Sequence, residues 1–132
     1  MHPLFHQYFQ NYRSIVKDLN EVLKTHDLYN SQWTILFLLQ ENGAQTLTQI
    51  RRYLQVEAPT ITRTVTRLEA MGLVKKVYGE DRREKTIQLT EKAIVKMPEI
   101  QASVEMFEAN ILARLTNEEI SHLTTLLYKM KG

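Results

Sequence analysis

The sequence predicts a mainly α-helical fold with one small β wing, and three observations carry that prediction. Apolar residues recur every three or four positions near both ends of the 132-residue chain, which is the periodicity of amphipathic helices. Two short helical patterns, about 47–53 and 58–71, follow one another closely in the middle. Segments 73–78 and 85–89 then read as a β-hairpin around the polar tip Gly79-Glu80-Asp81-Arg82-Arg83-Glu84. A support helix, a second helix and a basic hairpin in that order make a winged helix-turn-helix, flanked here by helices at both ends.

Each element can be justified in chain order. The first helix carries Phe5, Tyr8, Tyr12, Ile15, Leu19 and Val22 at spacings of three and four. After Asn30-Ser31 comes a helix containing the apolar run 35–39, apolar enough on every side to be core. Thr46-Leu47-Thr48-Gln49 fits a capping box, with Thr46 accepting from an orphan N–H and Gln49 reaching back. Leu47, Ile50 and Leu54 then share one buried face. In the next helix Ile61, Val65 and Leu68 point inward. At about 100° per residue, Pro59, Arg63, Thr66 and Arg67 face away, with Thr60 and Thr62 on the flanks. Gly72 occupies the position where a left-handed residue turns the chain into the hairpin.

Beyond the hairpin, Met97, Ile100, Val104, Phe107, Ile111 and Leu115 form a further stripe. Pro98 within it should kink the helix or mark its tighter start. Thr116-Asn117-Glu118-Glu119 is a second capping box, opening a last helix with Ile120, Leu123, Leu127 and Met130 on one side. A chain of this length buries one core, so residues 1–132 are expected to form one domain. The terminal stripes are remote in sequence from the compact central unit, and their near-heptad seams suggest dimerisation helices at about 4–25 and 98–131. The winged helix-turn-helix would span about 31–90. The other reading is that the terminal helices pack only on their own domain.

The outward face of helix 58–71 points to double-stranded DNA. Thr60, Thr62, Thr64 and Thr66 crowd a short helix although threonine is a mediocre helix former. Their hydroxyls can donate to phosphates or bases, and their methyls can pack on thymine methyls. Arg63 lies in the N-terminal half, where recognition helices meet base edges, and Arg67 one turn later suits a phosphate or a second base. Charge is segregated accordingly. From 45 to 90 there are nine basic residues against five acidic, a local +4, while the remainder, eight against ten, is −2. Phosphate neutralisation needs positive charge on one surface rather than a high total.

The run APTITRTVTRLEAMGLV at 58–74, followed by Asp81-Arg82-Arg83 and Leu89-Thr90, resembles the multiple-antibiotic-resistance regulator (MarR) family. The resemblance extends over essentially the whole chain, including Leu28, Gln32-Trp33 and the Pro98-containing helix. It implies a homodimeric winged helix-turn-helix regulator of transcription, a repressor more often than an activator, acting on inverted repeats. It also implies that Arg83 enters the minor groove, that Asp81 holds the wing, and that Pro59, Thr60, Thr62 and Arg63 meet the major groove; Arg82, paired with Arg83 at the basic tip, is a further DNA-contact candidate from its charge alone. Glu57 departs from the Ser or Asp that many members place ahead of the recognition helix. Glutamate is a poorer N-cap, so the first turn is expected to fray until phosphates arrive.

Other chemistry is thin. Cysteine is absent, which removes disulfides, thiolate metal sites and thiol-based sensing. His2 and His6 have i, i+4 spacing, but Pro3 lies between them and no carboxylate completes a metal site. No cofactor is implied, and no nucleophile–base constellation or phosphate loop stands out, so an enzyme is not expected. The N-terminus lacks a basic start with an apolar core, and 35–39 is too short to span a bilayer, which suggests a cytoplasmic protein without a membrane partner. Family resemblance implies a small aromatic effector in a cleft between the dimer layer and the DNA-binding lobe. Tyr12, Trp33 and Phe37 are candidates to line it, with Arg13 or His26 available to a carboxylate; Trp33 and Phe37 serving only as packing is the competing reading. A winged helix used solely for protein–protein contact is the alternative to DNA binding.

Overall fold

The computed structural model describes residues 1–80 and 83–132. Helix α1 (Pro3–Lys24) starts at a proline whose fixed φ suits the first helical position. His2 caps it, its Nδ1 accepting from the Leu4 N–H at 3.0 Å. The chain continues through α2 (Asn30–Asn42), β1 (Gln45–Thr46), α3 (Leu47–Leu54), α4 (Ala58–Ala70), β2 (Val74–Tyr78), β3 (Lys85–Leu89), α5 (Glu91–Leu112) and α6 (Asn117–Lys131). This is the expected mainly α fold with a β wing. The wing hairpin gains one strand not anticipated from the sequence, giving an antiparallel sheet in the order β1-β3-β2. Ile87 in its central strand faces Gln45 on one side and Lys76 on the other.

Helix α2 is the hub. Trp33, Ile35, Leu36, Leu38 and Leu39 are all buried, as an all-round apolar helix requires. Around it close Ile50 from α3, Ile61, Val65 and Leu68 from α4, and Leu73, Val74 and Ile87 from the hairpin. The buried Gln32 is satisfied because its Oε1 accepts from the Tyr29 N–H at 2.9 Å. Both anticipated capping boxes form: the Thr46 and Thr116 hydroxyl oxygens accept from the Gln49 and Glu119 N–H groups at 3.1 Å, and the Oε1 atoms of Gln49 and Glu119 accept in return from the N–H groups of Thr46 and Thr116. Gly72 adopts φ 75°, as the turn out of α4 demands.

Of the two roles expected for Pro98, the helix start is not the one found: α5 runs from Glu91 through it, opened by Thr90, whose Oγ accepts from the Ala93 N–H at 3.2 Å. Two of the flanking helices, α1 and α5, also contribute to the central core. Leu23 of α1 and Ala93, Met97, Ile100 and Val104 of α5 are buried within it, so the apolar stripe of α5 divides between intrachain packing near its start and half-exposure at Phe107 and Ile111. By contrast, α6 contains no buried residue. Along α1, Phe5, Tyr8, Phe9, Tyr12 and Ile15 stay exposed. Among the described residues no helix is long and apolar enough to cross a membrane.

Candidate nucleic-acid interface and adjoining groove

Helix α4 is fixed from behind by Ile61, Val65 and Leu68, each at most 3% exposed. That anchoring dictates what the other side presents. Pro59, Thr60, Thr62, Arg63, Thr66 and Arg67 are all exposed, so six of the predicted contact residues occupy one rigid outward surface. Thr62 and Thr64 use their hydroxyl hydrogens internally, donating to the Ala58 and Thr60 carbonyls at 3.0 and 2.9 Å. At Thr62 an acceptor lone pair and a methyl group are left for a ligand, rather than the donor expected from sequence. Glu57 makes no side-chain cap, in keeping with its poor capping chemistry. The α4 helix nevertheless begins at Ala58, directly after Glu57.

The turn between α3 and α4 is built without glycine. Gln55 takes the left-handed conformation, φ 54°, at the end of α3. Beyond α4 the hairpin closes through the Gly79 N–H donating to the Glu84 carbonyl at 3.1 Å. Lys85 lies over the Tyr78 ring at 6.0 Å, and Lys76 pairs with Glu69 at 3.6 Å across the α4–wing boundary. Arg83 is exposed on the wing and takes part in an interaction with its surroundings. Asp81 and Arg82 lie outside the described residues.

Trp33 and Phe37, one helical turn apart on α2, hold their rings at 6.0 Å and 40°. They form one wall of a cavity of about 150 Å³, with Gln101, Val104, Glu105 and Glu108 of α5 opposite. Tyr12 and Arg13 are not among the residues lining it; both are exposed on α1. His26 is elsewhere too. Its Nε2 lies 2.9 Å from Ser103 Oγ, and it borders a separate cavity of about 620 Å³ alongside Arg67, Lys92, Lys96 and Glu99. The predicted ligand set is thus split: Trp33 and Phe37 come together, and the cationic candidates do not join them.

Comparison with known proteins decides the family. The MarR family profile matches residues 28–85, from the loop before α2 to the first residue of β3. The HTH-type transcriptional regulator YwoH of Bacillus subtilis (strain 168), itself uncharacterized, is 45% identical over 123 residues, covering 91% of this chain and 90% of its own. The chain belongs to the MarR family. It is a transcriptional regulator with the DNA-binding winged helix of that family. Among solved structures, a mutant MarR from E. coli complexed with operator DNA superposes with a TM-score of 0.90 at 23% identity, over 98% of this chain and 94% of that one. The organohalide sensing RdhR-CbdbA1625 transcriptional regulator, in its ligand-free form, gives 0.88 at 26% identity, over 98% and 78%.

Within this MarR-family fold, Thr90 has an organising role that its place in the Leu89-Thr90 motif does not reveal. Thr90 donates its hydroxyl to the Gly72 carbonyl at 2.5 Å, and its N–H bonds the Leu73 carbonyl at 3.1 Å. Together with its cap on α5, it ties the end of the recognition helix, the base of the wing and the long helix at one point. A Thr following a strand and preceding a helix signals a cap; its reach to Gly72 depends on tertiary closure.

Proposed function

We propose that this regulator is a homodimeric repressor that reads an inverted-repeat operator and is released by a small ligand. The observation that carries DNA reading is the exposed α4 face of Pro59, Thr60, Thr62, Arg63, Thr66 and Arg67 on a helix immobilised from behind. Arg63 takes base edges, Arg67 a phosphate or second base, and Arg82 and Arg83 the adjacent minor groove, with Asp81 holding the wing. Dimerisation is supported by α6, which buries none of its own residues, and by the exposed aromatic stretch of α1. Such apolar surface normally marks an interface. In a two-fold dimer the recognition helices would address half-sites about 34–36 Å apart. The whole chain acts as one unit in the cytoplasm, as a binding protein rather than a catalyst. Ligand release is supported by the aromatic groove at Trp33 and Phe37, which lies between α2 and α5, two helices joined to the recognition helix through one core.

The test is a titration against promoter DNA beside its own gene, repeated across salt. Saturable binding of two chains per inverted repeat is expected. Affinity should fall by about 10³–10⁵ between roughly 50 and 200 mM salt if 6–10 phosphates are contacted. Binding no tighter than to random DNA at every salt concentration would favour a winged helix that serves a protein partner.

A further inference from the structure

The groove at Trp33 and Phe37 has a chemistry opposite to that of an acid-binding cleft. One wall carries the Trp33 and Phe37 rings of α2, 8% and 38% exposed. Its far wall is α5, where Gln101, Val104, Glu105 and Glu108 stand at i, i+3, i+4 and i+7 and share one helical face. No basic residue lines it. Among the described residues neither carboxylate has an ion-pair partner. Aromatic faces carry negative potential and attract cations, most strongly at tryptophan. Two carboxylates beside them add charge of the same sign.

We infer that this groove receives a small organic cation, an alkylated or protonated amine lodged against Trp33 and Phe37 and neutralised by Glu105 and Glu108. About 150 Å³ is well below the roughly 300–1,000 Å³ of a site for a drug-sized molecule, so the groove takes a headgroup and the rest of the ligand projects outward. This names the effector class for the ligand-release reading above, and its regulatory consequence rests on that reading.

Glu108 shows what such a ligand would relieve. Although its side chain keeps an exposed surface, loss of water around the carboxyl and, second, the nearby Glu105 charge raise its pKa above the ordinary 4.5. Both causes penalise the anion, and an organic cation in the groove would offset both. The other groups lining the groove, Gln101, Val104, Trp33 and Phe37, carry no charge and do not titrate. Affinity for a ligand of permanent charge should therefore rise with pH through the raised Glu108 pKa and level off above it.

Trp33 is the only tryptophan in the chain, so its fluorescence reports this groove alone. We would titrate the full-length protein with benzyltrimethylammonium, benzyl alcohol and benzoate, matched in ionic strength, with and without operator DNA. Expected is saturable quenching by the ammonium ion only, weakened about tenfold by Glu108→Gln or Glu105→Gln, and by Phe37→Leu if the ring supplies its share. Quenching by benzoate as strong as by the ammonium ion overturns the proposal, as does unchanged ammonium affinity in the two glutamine variants. So does the absence of any saturable ammonium response. Benzoate that displaces DNA while the ammonium ion does not would sink the cation and keep the ligand-release reading. Ammonium binding at the groove with operator affinity unchanged would keep the site and sink its regulatory role.

Discussion

Arg63 and Arg83 occupy elements of different rigidity, and that difference predicts different consequences of removing them. Arg63 projects from a helix whose inner face is sealed by Ile61 and Val65, so in the proposed complex its guanidinium would approach DNA from a fixed origin and discriminate a base edge. Arg63→Ala is expected to cost about 1–3 kcal/mol of operator affinity and to relax preference at one base position per half-site. Arg83 sits on the hairpin tip, which in the proposed complex would meet groove width and phosphate charge rather than base identity. Arg83→Ala should weaken all sequences nearly equally and flatten the salt dependence by about one phosphate's worth. Binding measured for both variants against operator and scrambled DNA separates the two roles; identical behaviour of both with wild type would remove DNA reading from this surface. At the same scale, Thr90 joins three elements through hydroxyl and amide. Thr90→Ala loses an N-cap and leaves the Gly72 carbonyl short of a donor, for an expected loss of about 1–2 kcal/mol by urea denaturation.

Among the elements, those governed by neighbours in sequence were legible, and those governed by distant packing were not. The capping boxes at Thr46 and Thr116 and the left-handed Gly72 need only residues three or fewer positions away, and each forms as expected. Strand β1 is two residues long and exists because Gln45 and Thr46 find β3, some forty positions later; no local periodicity can announce it. Gln55 carries no sequence mark of its left-handed φ, since that turn is imposed by the two helices it joins. The stripe of α5 looked like a single seam because periodicity records which face is apolar and not which neighbour covers it. The candidate groove was half legible: Trp33 and Phe37 share a turn of one helix, whereas Glu105 and Glu108 reach them only through the packing of α5 on α2. Glu57 offers an element-level test. It precedes α4 without capping it, so Glu57→Ser should supply an acceptor for an orphan N–H and raise stability by about 0.5–1 kcal/mol in thermal or urea melts. A lower melting temperature would mean that the glutamate charge at the helix N-terminus matters more than a cap.

Taken whole, the molecule has one core and a second apolar surface that this core does not use. The core gathers α2 to α5, the sheet and the last turn of α1. The remaining apolar side chains of α1 and α6, among them Phe5, Phe9, Leu123, Leu126 and Leu127, are between 40% and 49% exposed. If dimerisation covers them, removing one should leave the fold of each chain intact while separating the chains, since none of these residues belongs to the central core. Leu127→Asp places a charge where α6 would be desolvated by its partner, at a site 40% exposed in the single chain. The expected outcome is a folded monomer by sedimentation, with helical circular dichroism retained. Operator affinity would then fall by about 10² or more, because each half-site must be bound without its tethered neighbour. A monomer that kept full operator affinity would detach DNA reading from dimerisation. A variant that stayed dimeric would move the interface away from this face of α6, leaving the exposed stretch of α1 and the outer end of α5 as its remaining apolar surface.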